Sequence, residues 1–251
     1  VFKKVSKEEI QRFRKENFPN ETNPNRMIFF WNNRNARRKQ SGSLIFWFKK
    51  FLDEIGHDNA CLIMHTDPKD DHGQDLEAII HELGLASGQV MLSPQKIPPQ
   101  GLSYLYNMAS CTINISDAEG FGLSTLESLA CETPVIVNMT GGLQEQVTDG
   151  ELWFGLGIEP ASKAIIGSQQ IPYIYEDRIN GDELVDQLIK FYKMSEEERA
   201  EMGANGRNHV LKNYNFESYQ TRWDEVITEI HEKYGSWETR KHYKPWRLKE
   251  I

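Results

Sequence analysis

Long apolar runs are missing from this chain of 251 residues, and no stretch approaches the roughly 20 apolar residues that a membrane-spanning helix needs. Paired cysteines are missing as well. Cys61, Cys111 and Cys131 are odd in number, far apart and set in apolar contexts. That excludes a disulfide framework and a cysteine-rich zinc site, and reads as buried, reduced thiols. An excess of positive charge is also lacking: 29 Lys and Arg face 37 Asp and Glu, for a net charge of −8. The balance excludes a general affinity for nucleic acid and makes any local cluster of cations conspicuous. There is no His-Glu-x-x-His, no Cys-x-x-Cys pair, no Gly-x-Ser-x-Gly elbow and no Walker loop. A protein-bound metal, a serine hydrolase and a P-loop nucleotidase are therefore not expected. Asp70-Asp71-His72 resembles a metal cluster only loosely. The first residues lack a signal-peptide pattern, and Val1 stands where a methionine would begin a whole protein, so the sequence reads as a fragment.

What remains is ordinary for a globular chain: 39% hydrophobic and 26% charged residues, enough for one large domain or one domain with appendages. Two Asn-x-Ser/Thr sequons, at Asn114 and Asn138, fall in or beside expected core strands. Glycans there would prevent folding, which with the reduced thiols favours a cytoplasmic home.

Apolar runs alternate with helical periodicity along most of the chain. Strands are expected at 27–31, 60–65, 90–92, 112–115, 134–138 and 171–175. Helices are expected between them at 43–55, 74–83, 101–109, 122–131 and 143–148, preceded by a short amphipathic helix at 7–18. The strands are apolar throughout instead of alternating, as strands buried on both faces are. Alternating βα units imply right-handed crossovers, a Rossmann-like parallel sheet of about six strands and helices on both faces. Residues 151–171 lack periodicity and read as an irregular excursion. Three further helices are expected at 182–194, 196–213 and 216–234, and Ser195-Glu196-Glu197-Glu198 reads as a capping box. Asn17–Asn25, with Pro19 and Pro24, reads as a loop. The tail Ser236–Ile251, with Trp237, Tyr243 and Trp246 among Lys and Arg, is too aromatic for a linker and is expected to pack on a surface.

Ligands of such sheets bind at the carboxyl ends of the strands. The loop after the fourth expected strand reads Asp117-Ala118-Glu119-Gly120-Phe121-Gly122-Leu123, with Glu127 one turn into the next helix. A strand, a Gly-rich turn and a helix N-terminus make a place for an anion, and two carboxylates beside it can hold sugar hydroxyls. Glu127 has a plainer reading, because Ser124-x-x-Glu127 also matches a capping box. The loop after the first strand holds Arg34, Arg37, Arg38 and Lys39, four cations in six residues. At a strand's carboxyl end they suit a diphosphate, through charge-assisted hydrogen bonds worth roughly 1.5–3 kcal/mol each. The plainer reading there is a solvated basic loop. Thr140-Gly141-Gly142-Leu143-x-Glu145 is a second Gly-rich loop, able to touch sugar or phosphate or to serve only as a tight turn. His65, at the end of the second strand, is expected to be held by hydrogen bonds.

These motifs resemble the retaining glycosyltransferases built of two facing Rossmann-like domains, the GT-B enzymes of family four known as glycosyl transferases group 1. Glu119…Glu127 resembles the family's Glu-x7-Glu signature, and Asn33-Arg34…Lys39-Gln40 its Gly-Arg…Lys-Gly segment, with Asn33 and Gln40 in place of the glycines. Gly141-Gly142-Leu143-x-Glu145…Asp149-Gly150 is similar to the downstream segment, and Phe2–Phe18 to the stretch after the interdomain linker. The resemblance implies the C-terminal, donor-binding half of such an enzyme, without the N-terminal acceptor domain. Residues 1–25 would lead in from the linker, 26–213 would form the nucleotide-sugar domain and 214–251 a crossing helix and tail.

The resemblance also implies roles. Arg34 and Lys39 would neutralise the diphosphate of a UDP- or GDP-sugar, with Arg38 assisting. Gly120, Phe121, Gly122 and Leu123 would offer backbone amides, and Gly141 and Gly142 would lie nearby. Glu119 would hold the donor sugar, Glu127 the ribose hydroxyls, and Ser93 to Lys96 would lie beside the base. No cofactor and no essential metal are expected, because the basic side chains stand in for one. The acceptor, a saccharide, lipid or protein, would be held by the other domain, and the basic aromatic tail allows peripheral membrane contact. Two other functions are rivals: a nucleotide-sugar-binding module without turnover, and another enzyme of this architecture, such as a nucleotide-sugar epimerase, or a phosphorylase, which would need a cofactor lysine that has no distinctive signal here.

Overall fold

The computed structural model describes residues 1–18 and 23–242. Six parallel strands form the main sheet: β1 (Met27–Asn32), β2 (Ala60–His65), β3 (Val90–Leu92), β4 (Cys111–Asn114), β5 (Val135–Asn138) and β6 (Gly155–Ile158). Their order is β3-β2-β1-β4-β5-β6. The chain works outward from β1 on one side, returns and works outward from β4 on the other. That reversal between β1 and β4 opens a crevice at the carboxyl ends of the strands.

The connecting helices are α2 (Ser41–Ile55), α3 (Leu76–Glu82), α4 (Pro99–Met108), α5 (Leu123–Ala130) and α6 (Leu143–Val147), after a leading α1 (Lys7–Asn17). Strand β1 explains why both faces are covered. Phe29 and Trp31 enter a core with Leu44, Phe48 and Phe51 of α2, while Ile28 and Phe30 enter a second core with Leu105 and Tyr106 of α4. Side chains that alternate between faces, all of them apolar, leave no face for water. The three cysteines are buried free thiols, and Asn114 and Asn138 are buried too.

Two expectations for residues 151–175 are corrected. The sixth strand of the sheet is not 171–175 but β6, inside the stretch read as irregular. Its sequence Gly-Leu-Gly-Ile hides the pattern, yet Gly155 is required, since a side chain there would run into the Val135 carbonyl of β5. Residues 171–174 are outside any strand. Instead β7 (Ser162–Ile165) and β8 (Tyr175–Arg178) pair as a separate antiparallel hairpin. β8 reads Tyr-Glu-Asp-Arg, a strand whose polar residues are held by ion pairs rather than by apolar packing.

Helix α7 (Gly181–Lys193) returns to the α2 side, and α8 (Glu196–Asn213) starts with the expected capping box, Glu198 N–H donating to Ser195 Oγ at 3.1 Å and Ser195 N–H to Glu198 Oε2 at 2.7 Å. The chain separates into two compact units, Val1–Asn208 and His209–Ile251. In the second, α9 (Phe216–Tyr234) is capped by Asn215 and exposes Tyr219, Trp223, Ile227 and Ile230 along one stripe. Trp237 is exposed. The rest of the expected aromatic tail, Tyr243 and Trp246, and Pro19 of the expected loop lie outside the described residues.

Candidate functional site

The loop after β1 and the loop after β4 meet at the β1/β4 crevice, and they are tied together directly. Asp117 N–H donates to the Arg38 carbonyl at 2.8 Å. Arg38 Nη1 donates to the Ala118 carbonyl at 2.6 Å, and Gln40 Nε2 to Asp117 Oδ2 at 2.7 Å. Residues 37–39 form one 3-10 turn, and Gln40 then adopts a left-handed conformation with φ 57°. A non-glycine residue there costs about 1 kcal/mol or more. Gln40 offsets it with two side-chain bonds, the one to Asp117 and one accepted from Ser43 Oγ at 2.7 Å. The 3-10 turn carries Lys39 inward, leaving its side chain only 9% exposed against Glu119.

A cavity of about 410 Å³ lies between the loops, lined among others by Asn33, Lys39, Glu119, Phe121, Gly122 and Glu127. Lys39 Nζ pairs with Glu119 Oε2, and Arg38 Nη1 stands 3.8 Å from the same oxygen. Burial pushes the Lys39 ammonium below its usual range, and the Glu119 carboxylate only partly restores it. Burial raises Glu127, opposed by one hydrogen bond from Tyr106. The amide nitrogen of Asn33 is buried at the cavity with no partner among the described residues. A ligand oxygen there would relieve an unsatisfied donor, a penalty of about 1–3 kcal/mol.

Helix α5 begins at this cavity. Its N-cap is Gly122, φ 84°, with no capping side chain. The Ser124/Glu127 capping box is not formed. Ser124 sits inside the first turn, and Glu127 turns to Tyr106 Oη at 2.8 Å instead. Glu127 is thus available to the cavity. Gly141 and Gly142 do not line the cavity, and they brace it from behind. Gly142 N–H donates to the Glu119 carbonyl at 3.3 Å, and a Cβ on Gly141, whose φ is +50°, would collide with that same carbonyl. Gly120 lies in the turn between Glu119 and Phe121 without lining the cavity.

Not every expected residue is brought in. Arg34 points away from the cavity, donating to Asp70 Oδ2 at 2.6 Å and Oδ1 at 3.0 Å and contacting His72 Nδ1. The guanidinium holds the Asp70 carboxyl far below the usual carboxylate range. That is the role the structure gives to Asp70 and His72. Ser93 lines a neighbouring cavity of about 420 Å³ with Phe13, Phe18, Gln95 and Ile97, where Lys96 is absent. The two cavities share helix α4, with Leu102 in one and Leu105 in the other. His65 is held by Ser93 Oγ at 3.0 Å, as expected of a strand-end histidine.

Two sets of residues escaped sequence reasoning. Asn32, Asn33, Leu102 and Ser124 line the cavity, and only Asn33 carried a signal, as the departure from a glycine. Behind the cavity, hairpin β7–β8 supports both loops. Arg37 donates to Glu176 through Nη1 at 2.9 Å and Nη2 at 2.6 Å, and Arg178 Nη1 to Asp117 Oδ2 at 2.6 Å. Asp177 N–H donates to the Asp117 carbonyl at 2.7 Å, and Thr140 Oγ1 to Asp177 Oδ2 at 2.7 Å. Arg37, one of the four cations of the motif, therefore belongs to the support. Arg37 lowers Glu176, while burial raises Asp117 against the pull of Gln40 and Arg178.

A doubly wound sheet with cationic, acidic and amide groups around a crevice at its switch point defines a Rossmann-like domain suited to an anionic, hydroxyl-rich ligand. The family model for glycosyl transferases group 1 matches residues 12–209, and the chain belongs to that family. It is 43% identical over 76 residues to the D-inositol 3-phosphate glycosyltransferase of Acidothermus cellulolyticus, a match over 30% of this chain and 16% of that protein. Its fold is similar to the Anabaena protein Alr3699/HepE solved in complex with UDP-glucose: TM-score 0.69 and 17% identity, over 91% of this chain and 54% of that one. It is also similar to the C-terminal domain of a glycosyl transferase group 1 family protein (LpcC) from Francisella tularensis, with TM-score 0.63 and 20% identity over 86% of this chain and 97% of that domain. The chain thus spans about half the length of the Anabaena protein. No helix among the described residues is long and apolar enough to cross a membrane.

Proposed function

We propose that this chain is the donor-binding half of a retaining glycosyltransferase, transferring a hexosyl group from a UDP- or GDP-sugar to an acceptor held by an N-terminal domain. One observation carries the reading: Lys39 and Glu119, from two loops 80 residues apart, and Glu127 of helix α5 line one cavity at the β1/β4 crevice. The Anabaena relative solved with UDP-glucose supports the donor class, and the near-complete match to the Francisella C-terminal domain supports the half.

On this reading the diphosphate competes with Glu119 for Lys39, with Arg38 close enough to join. The Glu119 carboxylate, released from its partner, takes hydroxyls of the donor sugar. The α5 N-terminus and the Asn33 amide add donors toward the phosphates, and Glu127 takes the ribose diol. As the anomeric carbon–oxygen bond breaks, negative charge grows on the leaving phosphate, and cations placed there stabilise the transition state more than the ground state. The acceptor oxygen bonds the same face of the anomeric carbon, and its proton passes to the leaving phosphate. Lys39 supplies the charge that a metal would otherwise bring, so no metal is required.

The test is calorimetric titration of the chain with UDP, GDP, ADP and their common sugars, with and without chelator. Saturable binding of one nucleotide and its sugar, unchanged by chelator, is expected. Binding of none, or only with a divalent ion, contradicts the reading.

A further inference from the structure

Strand β1 ends in an amide, helix α4 presents a phenol and helix α5 a carboxylate, and the three are strung in one line. Asn32 Nδ2 donates to Tyr106 Oη at 2.8 Å, and Tyr106 Oη donates to Glu127 Oε2 at 2.8 Å. A phenol has one proton. With the Asn32 N–H directed at its oxygen, that proton is committed to Glu127. Oε2 is thereby tethered, while Oε1 takes no hydrogen bond among the described residues. The phenol itself is packed on both sides. Its ring is fully buried, edge-on to Phe30 at 5.0 Å and to Phe2 at 5.9 Å between centroids. Glu127 and Asn32 line the cavity, whereas Tyr106 does not.

From this geometry we propose that Tyr106 is a positioning residue, which fixes the Glu127 carboxylate so that its untethered oxygen and remaining lone pairs meet a vicinal diol of the ligand. The proposal rests on the donor reading above, in which Glu127 takes the ribose 2′- and 3′-hydroxyls, and adds the residue that holds Glu127 in place for them. Without the tether Glu127 has several staggered rotamers in a half-open cavity, and the cost of fixing one falls on ligand binding. A plain structural account competes with this, in which the Tyr106 hydroxyl is satisfied by Glu127 merely because it is buried. The two accounts differ in what the ligand feels.

The deciding experiment measures, by calorimetry on the full chain, the affinity of UDP or GDP, whichever binds the wild type, and of its 2′,3′-dideoxy counterpart. Tyr106→Phe keeps the ring and its contacts. The proposal expects the wild-type preference for the ribonucleotide to fall about tenfold in Tyr106→Phe, with dideoxynucleotide affinity changed less than twofold. On a Glu127→Gln background, Tyr106→Phe should cause no further loss, the non-additivity of groups that act together. A full preference retained in Tyr106→Phe overturns the proposal, as does an equal loss for both ligands. If Tyr106→Phe does not fold, Asn32→Asp reads the same point, since a carboxylate at 32 draws the phenolic proton away from Glu127; an unchanged preference there overturns the proposal too. Failure of the wild type to bind either nucleotide overturns the donor reading instead, and this one with it.

Discussion

The working wall of the crevice and the wall behind it are built from the same kinds of residue and differ in who their partners are. In front, Lys39, Glu119 and Glu127 line a cavity, and the Lys39–Glu119 pair can be exchanged for ligand groups. Behind, Arg37, Glu176, Arg178 and Asp117 are paired with one another, with Asp117 0% and Glu176 3% exposed. A charge whose partner is a buried protein group serves geometry. A charge whose partner sits at a cavity can serve a ligand. Of four cations in one six-residue stretch, only Lys39 is turned fully into the front wall.

Substitutions should separate the walls. Asp117→Ala removes the acceptor of both Gln40 and Arg178, cutting the side-chain tie between the two loops and leaving a part-buried guanidinium contact unmatched. It should cost about 3 kcal/mol of stability, read as a lower denaturant midpoint. A midpoint within experimental error of wild type would mean that the rear network carries little. Lys39→Ala should leave the midpoint nearly unchanged and weaken nucleoside-diphosphate binding by roughly 1.5–3 kcal/mol, or about 10- to 150-fold. Loss of stability without loss of affinity would move Lys39 to the rear wall.

The front wall should also titrate. Glu127 is raised above its ordinary 4.5 and must be ionised to accept hydroxyls, so affinity for a nucleotide sugar falls as pH drops through that raised value. Lys39 is lowered below its ordinary 10.5 and must be protonated, so affinity falls again as pH climbs through that lowered value. A bell-shaped profile of about tenfold or more on each limb is expected from titration calorimetry across pH, and a flat profile would remove both groups. The rear wall has a different signature. Arg37 holds Glu176 below its ordinary 4.5, so the ion pair adds stability above that pH and loses it as pH falls through the lower, folded-state value. Glu176→Gln should cost about 1–2 kcal/mol at neutral pH, with the gap to wild type closing in acid. The smallest effect belongs to Arg34. Its pair with Asp70 is exposed, so Arg34→Ala should change stability and nucleotide affinity by less than about 1 kcal/mol each. A loss as large as that of Lys39→Ala would show that Arg34 swings into the cavity.

The front wall was legible in the sequence because its chemistry is residue identity at fixed spacing after recognisable strands. The Glu119 loop, Glu127 and Lys39 each follow or flank an apolar run such as 112–115 or 27–31. The rear wall was not, because β6 carries two glycines and β8 is Tyr-Glu-Asp-Arg, so neither shows the apolar pattern that marks a strand. β8 is held by ion pairs to residues more than 60 positions away, such as Arg178 with Asp117. Direction is equally hidden: nothing local tells that Arg34 turns to Asp70 while Lys39 turns to Glu119. The Ser124-x-x-Glu127 pattern was a true ambiguity, decided by the Tyr106 hydroxyl reaching Glu127 from another helix.

The measurement that bears most directly on the central claim is a paired titration of the wild type and Lys39→Ala with UDP- and GDP-sugars, alongside their melting temperatures. The account predicts saturable binding of one of them to the wild type, and a roughly 10- to 150-fold loss in the variant at an unchanged melting temperature. Equal affinity in both proteins, or no binding of either sugar nucleotide to the wild type, would contradict it.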